Sequence, residues 1–443
     1  MNILTHMPAA QDSVFVKLIE ASAPGALHDS TQHGSAPRCL EGTRQSQLTD
    51  IMSWVLGKSP DVNNVMWLSG GAGAGKSTIA LTIADLSAMK GRLAGSFFCQ
   101  KGDGPQSSAA HVVPSVAYHL AVSNKTIRAS IEATIAGNPL ILTDKAIGVQ
   151  LNELIRRPLE NAGAPLTQVP SLIILDGLDE CGDSATVQRL LFAIRDDVQR
   201  VVRLPLLFLI TSRPEFPIES FFRTIPQLHR QLHLGVSEEA DNDIRKYLLH
   251  GFSQIRTKHS DVFSKSTGTW PLDDDINLLV YKASGHFIYA STVLKFVDHS
   301  DDHPKNSLRF ILSGHASLRS DRRSPYADMD ELYLAILRRV VVQNHENLLR
   351  LLAIISSGLS CPCRAADMLD IALEEVQITL RGLRSVVQSP NPLLEFLHGS
   401  FEGFLMDPLR SAEFFIGGDD FKISGERAIV SSLYAFPEVF QIP

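Results

Sequence analysis

The octapeptide Gly70-Gly71-Ala72-Gly73-Ala74-Gly75-Lys76-Ser77 limits what this chain can fold into more than any other feature. It satisfies G-x-x-x-x-G-K-[ST] in full. An apolar run, Val65-Met66-Trp67-Leu68, precedes it, and Ile79, Ala80, Ile83 and Ala84 follow at helical spacing. A strand, a glycine turn and a helix in that order make a phosphate cradle. Glycines let consecutive N–H groups converge on one phosphate, and the helix N-terminus adds the positive end of its dipole. Lys76 supplies a point charge for the β- and γ-phosphate oxygens, Ser77 a hydroxyl for magnesium, and Thr78 completes the nucleotide-binding set. The chain therefore reads as binding a nucleoside triphosphate with Mg2+, either ATP/ADP or GTP/GDP.

Around this loop, short apolar runs alternate with helix-period segments, as in a parallel α/β sheet. The further runs are Ala94–Cys99, Leu172–Leu175 and Leu206–Ile210. Near-continuous apolar runs are expected of strands covered by helices on both faces. A helix is expected from Thr43, ending at Gly57 and Pro60, and a loop over 160–171. Beyond about residue 230 strand signals fade into leucine-rich helical patterns: 244–249, 276–297, 332–342 and 348–355. Residues 299–306 and 320–324 read as loops, the tail from 411 is weakly patterned, and no internal repeat is evident. Residues 1–38, rich in Ala, Ser, His, Gly and Pro, read as a short flexible leader.

Two strand ends carry further chemistry. Leu172-Ile173-Ile174-Leu175 runs into Asp176-Gly177-Leu178-Asp179-Glu180. An acid at the carboxyl end of a strand beside a phosphate loop suits a magnesium partner, which assigns Asp176 with Ser77 to the metal. Asp179 and Glu180, in the following turn, are placed to orient or deprotonate an attacking water. Alone, an acidic turn after a strand is ordinary surface chemistry; a full phosphate loop upstream reverses that balance. The run 206–210 leads into Thr211-Ser212-Arg213-Pro214, where the Arg213 fork can sense a γ-phosphate or merely solvate the strand end.

Composition excludes some classes. With a net charge of −7, the chain is a poor non-specific nucleic-acid binder. At 443 residues, 44% hydrophobic and 20% charged, it can bury several cores, about two to four domains. There is no secretory signal and no run near the ~18 apolar residues of a membrane helix. The five cysteines, Cys39, Cys99, Cys181, Cys361 and Cys363, are scattered and odd in number, so they read as reduced thiols of a soluble cytoplasmic protein. Cys361-Pro362-Cys363 lacks the second ligand pair of a zinc site.

Taken together, WLSGGAGAGKSTIA (67–80), SFFCQKGDG (96–104), LIILDGLDEC (172–181) and LITSRPE (209–215) resemble the NACHT NTPase domain of fungal NOD-like-receptor-type proteins. These are signal-transducing STAND ATPases, with a P-loop domain of the nephrocystin-3 N-terminal kind. CLEGTR (39–44), YKASGHFIYAST (281–292) and LLEFLHGSFEGFL (393–405) resemble the family's lead-in, helical-domain and winged-helix motifs. The resemblance spans about 39–410. It implies a NACHT P-loop domain over 39–230, an all-α helical domain over 231–325, a winged-helix-like domain over 326–410 and a tail over 411–443. It also implies a switch: a diphosphate-bound closed form exchanges for a triphosphate-bound open form that self-associates. In that scheme Lys76 and Ser77 hold phosphate and magnesium, Asp176 serves the metal, Arg213 is the sensor, and His398 contacts the β-phosphate when closed.

Two departures stand out. Where related receptors carry Gly-x-Pro against adenine, this chain has Gly285-His286-Phe287, which loosens the case for ATP over GTP. Repeats after the winged helix and a full effector domain before the loop are also missing, so the chain reads as a minimal switch, a truncated chain or a degenerate paralogue. The main expectation is a slow regulatory NTPase. The alternatives are a P-loop phosphotransferase, which would need an acceptor pocket and an arginine-rich lid, and a nucleotide-binding scaffold without turnover. Protein partners and pathway are not readable.

Overall fold

A computed structural model describes residues 9–59, 63–102, 104–162, 171–200, 206–263, 269–299, 303–313, 327–340, 345–358, 361–388 and 393–418. Most of the expected loop at 160–171, all of that at 320–324, part of that at 299–306 and most of the tail lie outside those residues. By contact the chain divides into two units, residues 1–71 with 75–235, and residues 72–74 with 236–443.

The apolar runs of the first unit become strands β1 (Val65–Gly70), β2 (Leu93–Phe98), β3 (Leu172–Asp176) and β4 (Leu207–Ser212). Every residue of β1, β2 and β3 is buried, as a strand covered on both faces requires. A fifth strand, β5 (His229–Leu234), completes an all-parallel sheet in the order β2-β3-β4-β1-β5. Its polar sequence, HRQLHL, hid it from a search for apolar runs. Among the described residues it lies at an edge of the sheet, and its burial is partial.

This order fixes the site. β1 and β3 are not neighbours; β4 lies between them, so loops after all three strands open at one carboxyl edge. The helix Lys76–Met89 buries Ile79, Ala80, Ile83 and Ala84, the stripe its sequence marks. The expected helix after Thr43 runs over Gln45–Val55, burying Leu48, Ile51, Trp54 and Val55, and Gly57 ends it with a φ of 67°. Trp67 stacks on Phe222 at 4.5 Å and donates its Nε1–H to Ser212 Oγ at 2.8 Å. Truncating a side chain buried this deeply costs about 3–5 kcal/mol.

Residues 9–34 differ from the expected flexible leader. Ala9–Ala21 is a helix, and Leu18, Ala23, Ala26 and Leu27 are buried. The Ala23 N–H donates to Ser115 Oγ, and the His28 N–H to Ser96 Oγ, at 2.8 and 2.9 Å. Phe15 stacks on Tyr118 with the Arg128 guanidinium 3.8 Å above its ring. A composition of small residues suggested disorder, but small residues also allow backbone donors to approach hydroxyls closely.

The second unit is helical, with helices Glu238–Lys258, Asp273–Ala283, Phe287–His299, Pro304–Ser313, Ala327–Arg339, His345–Ser356, Pro362–Leu369 and Leu373–Gly382. The single pattern expected over 276–297 is two helices, broken where Ser284 and Gly285 take φ values of 46° and 79°. Pro304, expected in a loop, opens a helix, where its missing N–H costs nothing. A two-stranded antiparallel hairpin, β6 (Val387–Gln388) with β7 (Glu395–Phe396), precedes the helix Gly399–Leu405. Tyr289, Tyr333, Phe252, Phe401 and Phe404 fill the core of this unit. Among the described residues no helix is long and apolar enough to cross a membrane.

Candidate functional site

At the carboxyl end of β1 the loop turns through Gly73 and Gly75, with φ values of 75° and 94°. Such angles strain any residue with a Cβ, which is why glycines stand there. Gly75 caps the helix that begins at Lys76. The Lys76 ammonium donates to Gly70 O at 2.9 Å and Gly71 O at 3.0 Å, tying the start of the loop to its end. Burial pushes its pKa below the usual lysine value; Asp179, Asp176 and Glu180 oppose that shift and Arg213 adds to it. Thr78 lies in the first turn of the helix, its carbonyl accepting from Thr82 Oγ1 at 2.7 Å. Ala72–Ala74, the apex, group with the second unit.

Asp176 ends β3 and is almost fully buried. Burial raises its pKa, against hydrogen bonds from the hydroxyls of Thr211 and Ser77 and the charge of Lys76. Thr211 Oγ1 donates to Asp176 Oδ1 at 2.6 Å and accepts from the Gly177 N–H at 3.0 Å. The strand tip of β4 thus sets both the carboxylate and the start of the turn after it. Sequence reading passed over Thr211, although its place two residues before Arg213 in a strand-end Thr-Ser-Arg was a usable signal.

Gly177, at φ 69°, turns the chain into a single 3-10 turn, Leu178–Glu180. The Asp179 carboxylate is bound on both oxygens by one residue: the Arg213 N–H reaches Oδ1 at 2.9 Å and Arg213 Nε lies 3.2 Å from Oδ2. Arg213 Nη2 stands 3.7 Å from Glu180 Oε1. The Glu180 pKa is raised to about 7 by burial and then by Asp179, with Arg213 lowering it. Two acids of one turn therefore differ in kind. Asp179 is a buried clamp on Arg213, while Glu180 is a partly open carboxyl poised near neutrality, as proton transfer requires.

The donor set fits a magnesium nucleotide. Ser77 and Asp176 offer adjacent hard oxygens, the kind Mg2+ prefers, and the glycine turn with Lys76 offers N–H donors and a cation for phosphate. The described part of the chain therefore brings together Gly70, Gly71, Gly75, Lys76, Ser77, Asp176, Asp179, Glu180 and Arg213 in one unit. His398 belongs to the other unit, where it caps the helix Gly399–Leu405. Its Nδ1 accepts the Ser400 N–H at 3.0 Å, so its ring proton sits on Nε2. Ser400 Oγ lies 2.8 Å from Tyr333 Oη.

One expectation about the cysteines is overturned. Cys99 and Cys181 are disulfide-bonded, with Cα atoms 5.7 Å apart, whereas Cys39, Cys361 and Cys363 form no disulfide. Sequence spacing could not pair residues 82 apart; the parallel pairing of β2 with β3 brings them together.

Residues 42–213 match the protein-family model described as "Nephrocystin 3, N-terminal". No curated protein matches the chain. Similar solved structures include a STAND protein with a tetratricopeptide repeat sensor from Pyrococcus horikoshii. It shows 13% identity and a TM-score of 0.45, with 90% of this chain and 49% of that one covered. This chain thus spans about half the length of that protein. Drosophila ORC bound to DNA gives 11% identity over 77% of this chain and 81% of that one, with a TM-score of 0.33. The Aeropyrum pernix ORC2 protein in its ADP form gives 13% over 88% and 93%, with a TM-score of 0.30.

The segment 42–213, with its complete phosphate loop on an all-parallel sheet, is a P-loop NTPase domain that matches the nephrocystin-3 N-terminal model.

Proposed function

We propose that this chain is a regulatory switch of the STAND type, which binds ATP with Mg2+ and hydrolyses it slowly to control its own opening and self-association in the cytoplasm. One observation carries the reading: Arg213, at the tip of β4, holds Asp179 on two bonds and stands beside Glu180. A cation placed to feel a terminal phosphate is thereby wired to the carboxyl suited to activate water. In a phosphotransferase such an arginine would serve an acceptor lid; here its bonds turn back into the hydrolytic turn.

Bound magnesium would neutralise phosphate charge, and Ser77 and Asp176 are the residues that would hold it. Lys76 and the glycine turn bind the phosphates. Glu180 takes the proton of the attacking water, and Asp179 fixes Arg213 against it. His398, whose Nδ1 accepts the Ser400 N–H, turns its Nε2 into a donor for a β-phosphate oxygen in a diphosphate-bound closed state. The extent of the P-loop domain (39–230), helical domain (231–325) and winged-helix-like domain (326–410), and the fungal receptor kinship, belong to the same proposal.

The test is to purify the full chain and measure bound nucleotide, turnover and mass by light scattering with ATP or ADP. Slow turnover, retained diphosphate and a larger mass with ATP are expected. Rapid turnover that depends on a small-molecule phosphate acceptor would overturn the switch, and a GTP preference would correct the base.

A further inference from the structure

The bonded pair Cys99–Cys181 sits where the hydrolytic turn is anchored. Cys99 is the residue after β2, and Cys181 the residue after Glu180. β2 and β3 are already in register to Phe98 opposite Asp176, and the Cys99 N–H donates to Asp176 O at 2.9 Å. The bond therefore adds nothing to the pairing of the strands. What it adds is a hold on the far end of the turn, whose near end Asp176 and Thr211 fix. Apart from bonds inside the turn, the far end is tied by the Gly182 N–H to Ser107 O, at 2.9 Å, and the middle by the Arg213 N–H to Asp179. Gly177 leans on the same residue: a Cβ at its position would meet Cys99 O at 3.4 Å and Cys99 Cβ at 3.7 Å.

We propose that Cys99–Cys181 is a reversible thiol–disulfide site, exchanging with small thiols of the glutathione class, that sets the mobility of the Gly177–Gly182 turn and through it the rate of hydrolysis. A thiolate of the small thiol attacks one sulfur of the pair, forming a mixed disulfide and releasing the other protein sulfur as a thiolate, which takes up a proton. A second small thiolate attacks the small-molecule sulfur of that mixed disulfide and releases the remaining protein thiol. Two small thiols are oxidised to their disulfide, and the protein pair gains two electrons and two protons. Both sulfurs are buried, so exchange proceeds through openings of the turn and is slow. Nucleotide binding is spared, because the glycine turn and Lys76 lie outside the Gly177–Gly182 turn and Asp176 is held separately by Thr211. The consequence for turnover rests on the proposed hydrolysis; the exchange and its effect on the turn do not.

The full chain is equilibrated in glutathione buffers of graded ratio, and the pair is read by differential alkylation and mass spectrometry, with Cys39, which forms no disulfide, as the internal reference. Amide hydrogen exchange is then followed in the oxidised and reduced forms, and in Cys181→Ser. We expect the pair to form and break within the buffer series. Reduction should speed exchange over 177–182 by about tenfold or more, with Lys76–Ser77 unchanged. Turnover should fall severalfold on reduction while ADP affinity stays within about twofold, a split that a merely stabilising bond would not produce. Failure of the bond to form in any buffer, or exchange over 177–182 that ignores its reduction, overturns the proposal. So does turnover that is measurable and equal in both forms. Absence of turnover in both forms, with exchange still redox-dependent, instead refutes the hydrolytic reading and leaves the tether standing.

Discussion

Thr211→Val isolates one hydroxyl. Valine keeps the shape of the fully buried threonine and its β-branched fit to a strand, but loses two bonds at once. The first, from Oγ1 to the Asp176 carboxylate at 2.6 Å, is charge-assisted and worth about 1.5–3 kcal/mol. Loss of the second strands the Gly177 N–H, at a cost of about 1–3 kcal/mol where no water replaces it. With partial relaxation, the first unit should lose about 3 kcal/mol in urea unfolding followed by Trp67 fluorescence. The pH behaviour should shift too. The Thr211 bond lowers the Asp176 pKa against burial, so its removal raises that pKa further. Magnesium-dependent nucleotide binding, which needs the ionised carboxylate, should then require higher pH, whereas binding in EDTA should not move. Thr211→Ser, which keeps the hydroxyl, should restore the pH profile and most of the stability. A valine variant within about 0.5 kcal/mol of the parent, with an unshifted profile, would refute the assignment of Thr211 as the residue that sets Asp176.

Lys76→Ala should weaken nucleotide binding by about 100-fold or more in calorimetry, since a charge on phosphate oxygens is lost; full retention would remove the loop from the site. Glu180→Gln should lower turnover by about 100-fold or more with nucleotide affinity nearly unchanged. The parent rate should rise with pH through about 7 as Glu180 ionises, and that limb should vanish in the glutamine variant. The stability linkage runs the other way. The folded-state pKa lies above the ordinary 4.5, so the stability gained from the neutral carboxyl is present below pH 4.5 and lost as pH rises through about 7. His398→Ala should speed ADP release in stopped-flow and favour assembled species; an unchanged release rate would sever it from the diphosphate.

Legibility in the sequence followed the physics of each element. Strands β1 to β4 showed because burial on both faces forces unbroken apolar runs, whereas β5 alternates His, Gln and His with partly covered neighbours at an edge and left no such run. The strand, glycine turn and helix around Gly70–Ser77 were legible because the pattern that forms them is local. Asp176, Asp179, Glu180 and Arg213 were legible as strand-end residues, but their division of labour was not. It depends on which oxygen meets which nitrogen across a strand pair, as at Asp179 and Arg213. The Cys99–Cys181 pair needed the β2–β3 register, a long-range property that no spacing rule encodes. Residues 9–34 were misjudged because their order comes from Ser96 and Ser115, hydroxyls supplied by other parts of the chain.

The strand order also decides what Arg213 can do. β4 separates the strand of the phosphate loop from the strand of the acid, with Leu68 opposite Thr211 on one side and Leu175 opposite Ile210 on the other. Its tip therefore meets both, and its contacts are unequal. Toward the acidic turn it offers Thr211 to Asp176 and Arg213 to Asp179 and Glu180; toward β1 it offers Ser212 to Trp67. Removing the Arg213 fork should thus disturb hydrolysis far more than diphosphate binding. For Arg213→Ala we expect turnover to fall by about tenfold or more and ADP affinity to change less than about threefold. The variant also leaves the buried Asp179 carboxylate with the residue-213 N–H but without its counter-charge, and that cost could mimic a lost sensor. Arg213→Ala with Asp179→Asn separates the two effects, since it removes the stranded charge without restoring the cation. Recovery of stability without recovery of turnover places the lost function in the guanidinium itself. Recovery of both would reduce Arg213 to a counter-ion for Asp179 and leave the triphosphate without this reader.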